Sequence, residues 1–174
     1  MVLLCPGWVH SDFVRMTMIK TCPPYDPATH RPVPDAFDEM PDGAGGVELV
    51  QRIEPIPLAE VRAARKEALA ALRWERECSG ITMPDGSFIA TDDRSKTLLN
   101  GKYRTAEKYP ERLHRWKGPE GEVTLTSGQV IAIGDAVSDY VQACFDRELD
   151  LIADIDAAET AVAVWAVDIA TGWP

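Results

Sequence analysis

The chain has 174 residues, 45% of them hydrophobic, which is enough apolar surface for one compact domain with an extension and excludes a disordered polymer. Its 18 Lys and Arg face 28 Asp and Glu, a formal net charge of -10 that repels phosphate backbones and argues against nucleic acid as a partner. Cys5, Cys22, Cys78 and Cys144 form no C-x-x-C pair, and His10, His30 and His114 complete no zinc pattern with them. Reduced thiols are therefore expected, without disulfides or a metal, and with Cys78 and Cys144 as small hydrophobes on helices.

The opening MVLLCPGWVHSDF breaks its apolar run at Pro6 and carries no leading positive charge, so it does not read as a signal peptide. Met16 and Met18 stand ahead of a more conventional start, and residues 1–15 read as an extension. No stretch reaches the roughly 18 to 20 apolar residues of a membrane span. PPYDPATHRPVP, residues 23–34, has too many prolines for a helix or a central strand and predicts an extended strap. In VELVQRIEPIP, the alternation of Val47, Leu49, Gln51 and Ile53 predicts one strand ending at Pro55.

Pro57 suits a first helical turn, and Leu58, Val61, Ala68, Leu69 and Leu72 recur at helical spacing through a narrow, alanine-rich stripe. The stripe fits either the covering of a sheet or pairing with copies of itself. Next, Met-Pro-Asp-Gly-Ser predicts a hairpin turn with Pro84 and Asp85 at its centre and positive φ at Gly86, which sets Ile81 opposite Ile89. RWKGPEGEVTLT repeats the plan, with Pro119, Glu120 and Gly121 in the places of Pro84, Asp85 and Gly86. A helix follows each hairpin, the second announced by the capping-box pattern Thr126 to Gln129. Val130, Ile133, Val137, Val141, Cys144, Leu151 and Ile155 then keep a three-and-four spacing to a break near Ala157, and a short apolar helix and Trp173 close the chain.

The candidate chemistry is sparse. Thr91, Asp92, Asp93, Arg94 and Ser95 could hold an anionic substrate between carboxylates and an arginine, but the same residues serve as the cap of a helix over about 93–109, and that reading is preferred. Arg94 is not required by a cap and is left for a partner. Ala90 and Ser95 stand where a phosphate loop needs glycines, and no G-x-S-x-G elbow marks a nucleophile. Asp135, Asp139, Asp146, Asp150 and Asp154 share one helical face, read as solvated, and Asp154-x-Asp156 lacks the remaining ligands of a calcium loop. No catalytic, cofactor-binding or metal residue is assigned.

RWERECSGITMPDGSFIATDDRS, the RWKGPEGEVTLTSGQV hairpin and cap, VQACFDRELDL and the closing TGWP together resemble a domain-of-unknown-function family of tailed-phage tail proteins, associated with tail fibres and their assembly. The likeness covers about residues 60–174, and CPPYDPATHRPV resembles the leader that often precedes that domain. The resemblance implies a noncatalytic virion component, made in the host cytoplasm, at a tail tip, baseplate or fibre, with other tail proteins as partners and a trimer by analogy. A receptor-binding module on the host surface and an assembly chaperone absent from the virion are the alternatives.

The expected fold is α+β: two β-hairpin–helix units packed on a long C-terminal helix, with an N-terminal helix and a Pro-rich extended arm. Residues 1–56 form the arm, with one strand, and residues 57–174 the α+β domain.

Overall fold

A computed structural model describes residues 19–43, 46–118 and 121–174. The expectations for residues 1–15, Cys5 and His10 lie outside these residues, as do Pro119 and Glu120 of the second turn. The fold is α+β, and the described residues form four helices and three small sheets.

The Pro-rich region holds more structure than a strap with one strand. β1 (Ile19–Thr21), β2 (His30–Pro41) and β3 (Val47–Pro55) form a sheet in the order β1-β3-β2, with β1 parallel and β2 antiparallel to β3. Pro32 and Pro34 are tolerated because β2 is an edge strand, where a missing N–H breaks few ladder bonds. The β2–β3 register shifts between Pro32 and Phe37, and Asp35 takes a φ of 53° there. Gln51 closes the gap: its Nε2 donates to the carbonyls of Val33 (2.6 Å) and Ala36 (3.0 Å). The sheet is tied to the rest of the chain by Ile56 N–H donating to Thr29 O (2.8 Å), Trp165 Nε1 donating to Ala28 O (2.8 Å) and Arg31 pairing with Glu60.

α1 (Leu58–Glu77) starts after Pro57, which occupies the N-cap. β4 (Ile81–Thr82) and β5 (Phe88–Ile89) form the first hairpin, with Ile81 opposite Ile89 and Thr82 opposite Phe88. Its turn has the expected chemistry: Gly86 N–H donates to Met83 O, Gly86 has a φ of 85°, and Asp85 Oδ1 accepts from Ser87 N–H. α2 (Asp93–Lys108) follows, then β6 (Leu113–Gly118) and β7 (Gly121–Thr126), whose ladder runs from Leu113↔Thr126 to Gly118↔Gly121.

α3 (Ser127–Ala157) is both the helix of the second unit and the long helix on which the first unit packs. Its stripe is divided between two cores. Val137 joins Ile89 and Leu99, while Leu151 and Ile155 join Val61, Leu69, Val164 and Ile169. Thr126 and Gln129 make the reciprocal capping box at its start. Thr126→Ala should therefore cost about 1 kcal/mol of stability, measurable by urea denaturation, with an unchanged dependence on denaturant.

α4 (Ala161–Ala166) and the closing turn fold back under arginines. Arg62 donates to Ala158 O (2.8 Å), Arg65 to Val167 O, and Arg147 to Thr171 O (3.1 Å), so cations meet the carbonyls left over at helix ends and in the tail. Trp173 packs against the α1–α3 core, and its Nε1 donates to Ile169 O.

Candidate functional site

The charged segment from Thr91 to Ser95 separates into distinct tasks. Asp92 is the N-cap of α2, and its carboxylate accepts from the N–H (3.1 Å) and hydroxyl (2.5 Å) of Ser95. These bonds hold the Asp92 carboxyl below the ordinary carboxylate value. Asp93 lies in the first turn, 3.3 Å from Lys96. The exposed Arg94 side chain makes no hydrogen bond or ion pair among the described residues. Thr91 is fully buried, donating to Glu77 O (2.6 Å) and accepting from Gly80 N–H (2.9 Å), which staples the foot of the first hairpin to the end of α1.

That staple sits beside an ion network for which the sequence reading made no provision. Glu77, with 7% of its side chain exposed, binds Arg73 one turn back and Lys96 from α2, and Arg73 Nε lies 3.2 Å from Glu148 on α3. Burial pushes the Glu77 carboxyl up, but the hydrogen bonds and charges of Lys96 and then Arg73 outweigh it, and the group stays below its ordinary value. One signal was present: Arg73 and Glu77 stand four residues apart on α1, the spacing of an ion pair within a helix. Nearby, Tyr140 donates to Arg76 O (2.6 Å), fastening the last turn of α1 to α3.

A second buried polar pair joins the other end of the domain. His114 Nε2 lies 3.0 Å from Ser127 Oγ, and that oxygen also lies within bonding distance of the carbonyls of Tyr109 (2.8 Å) and Arg112 (3.1 Å). Both side chains are buried, so the pair ties the α2–β6 connection to the first turn of α3 instead of presenting a hydroxyl to solvent. Burial first, then the charges of Lys102 and Arg112, lower the His114 pKa.

The aspartates Asp135, Asp139, Asp146, Asp150 and Asp154 are exposed along α3, and Asp135 accepts from the Tyr103 hydroxyl (2.8 Å). Among the described residues no group of three His, Cys, Asp or Glu is placed to hold a metal ion, and no helix is long and apolar enough to cross a membrane. Cys144 is completely buried, and burial raises its pKa. Iodoacetamide should accordingly modify Cys144 only on the timescale of unfolding, as read by mass spectrometry after timed quenching, because thiolate and access are both required.

What the two hairpins build together is an open apolar cleft of about 630 Å³ against the start of α3. Met83 and Ile89 come from the first hairpin, Trp116 and Leu125 from the second, and Ile133 from the helix. Phe88 and Val123 stand on its lips, 47% and 48% exposed. The pairing Trp116↔Val123 and the turn at Gly86 place these side chains where an apolar group from outside would meet them.

The model of the family described as a domain of unknown function, DUF4376, matches residues 60–171, well over half of the chain. The chain belongs to this DUF4376 family. Its matched region begins in α1 and runs to the closing turn, so it takes in both hairpins, the Glu77 network and the cleft, and leaves the N-terminal sheet outside. No curated protein and no solved structure matches the chain.

Proposed function

We propose that the chain is a noncatalytic structural component of a bacteriophage or prophage tail, at the tip, baseplate or fibre, acting through contacts with other tail proteins. The observation that supports the contact role is the apolar cleft between the hairpins, whose lips expose Phe88 and Val123. The tail context rests on the resemblance carried by TMPDGSFIATDDRS, RWKGPEGEVTLTSGQV and TGWP. In this reading the occupant of the cleft is an apolar stretch of a neighbouring tail protein, and the charge of -10 keeps the chain soluble before assembly. A trimer follows by analogy with the threefold symmetry of tail fibres.

Mass spectrometry of purified particles tests the context. The chain should be present at fixed stoichiometry, whereas its absence from complete particles would favour the assembly-chaperone alternative. Phe88→Asp with Val123→Asp should abolish incorporation while leaving the thermal midpoint within a few degrees, since both side chains are already half in water.

The receptor-binding alternative draws on exposed aromatics. Trp74 is exposed on α1, not buried, and Tyr25 and Tyr109 are exposed on loops, while Trp116, Trp165 and Trp173 are partly covered. Substituting Tyr25 and Tyr109 with alanine and measuring adsorption to host cells separates a surface reader from an internal connector.

A further inference from the structure

α2 and α3 pack through Leu99, Val137 and Val141, and on their outer side leave a groove of about 490 Å³ that is distinct from the hairpin cleft. Leu99 and Val137 are almost fully buried in its floor. Its depth depends on Gly134: a Cβ there would lie 2.3 Å from the Tyr103 ring, so the ring could not lie flat against α3 beside any larger residue. Phe145, 41% exposed, closes one end, and Leu149, 64% exposed, continues the apolar surface by one more turn.

The α3 rim is acidic: Asp135, Asp139 and Asp146 are exposed along the face next to the groove, while α2 presents Glu107 beside Arg104 and keeps Asp93 in a pair with Lys96. The cation in the lining, Lys96, is already held by Glu77 and Asp93 and leaves the α3 carboxylates uncompensated. An occupant must therefore offer apolar side chains to the floor and positive charge to the α3 side. A helix with an apolar stripe flanked by Lys and Arg has that pattern, and a groove between two helices accepts it as a third rod.

We infer that the α2–α3 groove docks a basic amphipathic helix of a partner protein. The inference rests on the reading that the chain works through protein contacts, and it adds the chemistry of one partner. A second copy of this chain is a poor occupant, because a charge of -10 on each copy opposes close approach of the acidic rims.

The test uses the full chain and three labelled synthetic 18-residue peptides: one with leucine on one helical face and lysine elsewhere, one with glutamate for lysine, and one with serine for leucine. Fluorescence anisotropy is read at physiological salt, where the Debye length of about 8 Å removes long-range attraction. The leucine–lysine peptide should bind at least tenfold more tightly than either control. Asp139→Lys with Asp146→Lys should weaken it tenfold or more, whereas Glu39→Lys with Glu67→Lys, the same change of net charge elsewhere on the surface, should leave it unchanged. Equal weakening by both pairs, or equal binding of the serine–lysine peptide, would reduce the effect to net charge and overturn the proposal. So would a concentration-dependent dimer, seen by light scattering, that the Asp139 and Asp146 substitutions abolish. These outcomes do not depend on where the chain resides, so they fail or succeed separately from the particle composition.

Discussion

Replacing Glu77 by alanine should lower stability by about 3 kcal/mol, because the change leaves two cations with a partner removed inside a nearly closed junction. For a chain of this size that is a fall of roughly 6 to 12 °C in the thermal midpoint. Arg73 keeps Glu148 and Lys96 keeps Asp93, which sets the expected cost at the low end for a broken buried pair. A double-mutant cycle with Lys96→Met should recover part of the loss, since removing both charges ends the uncompensated burial.

The same network gives stability a defined pH dependence. The folded Glu77 pKa lies below its ordinary value near 4.5, so its contribution is complete above that pH and disappears as the pH falls through the folded value. His114 acts in the same direction at higher pH. Its folded pKa lies below 6.5, so the unfolded chain takes up the proton first, and stability declines as the pH drops below about 6.5. Thermal midpoints measured from pH 8 to 2 should therefore fall in two stages. Glu77→Gln should flatten the lower one, and His114→Asn the upper one.

The second large effect is expected at Leu151. Leu151→Ala should cost about 3 to 4 kcal/mol, because the side chain is 1% exposed at the meeting of α1, α3 and α4, where α1, the α4 helix and the arginine-held tail limit collapse into the space. Denaturant unfolding monitored through tryptophan fluorescence measures it. Leu149→Ala, two residues away and 64% exposed, should change stability by less than about 0.5 kcal/mol and serves as the control.

Local chemistry was the part of this chain most readable in advance. The stripe from Val130 to Ile155, the Thr126–Gln129 box, a cap at Asp92 or Asp93 and the Ile81↔Ile89 register each depend on residues within a turn or a hairpin of one another. The features that escaped notice join distant segments. Glu77 reads as one more charge in RWEREC until Lys96 and Glu148 are brought to it from two other helices. His114 and Ser127 lie thirteen positions apart, with a hairpin between them that gives no hint of their hydrogen bond.

The N-terminal sheet was missed for a related reason. Proline density argues against a central strand, and it is right about β2, but it says nothing about an edge strand whose gap is filled by the side chain of Gln51. The two grooves are products of packing angle, and neither has a motif.

The division of α3 between two cores also orders events during synthesis. The hairpin core is complete once the chain has been made through about Val141, because Ile89, Leu99 and Val137 and the side chains packed on them all lie before that point. α1 emerges earlier, yet its buried side chains Val61 and Leu69 find their cover in Leu151, Ile155, Val164 and Ile169. Among the described helices the one made first is thus the last to be enclosed, and its apolar stripe waits in water for roughly a hundred further residues to be added. Its numerous charged residues, from Glu60 to Glu77, keep that waiting segment dispersed while it has no partner.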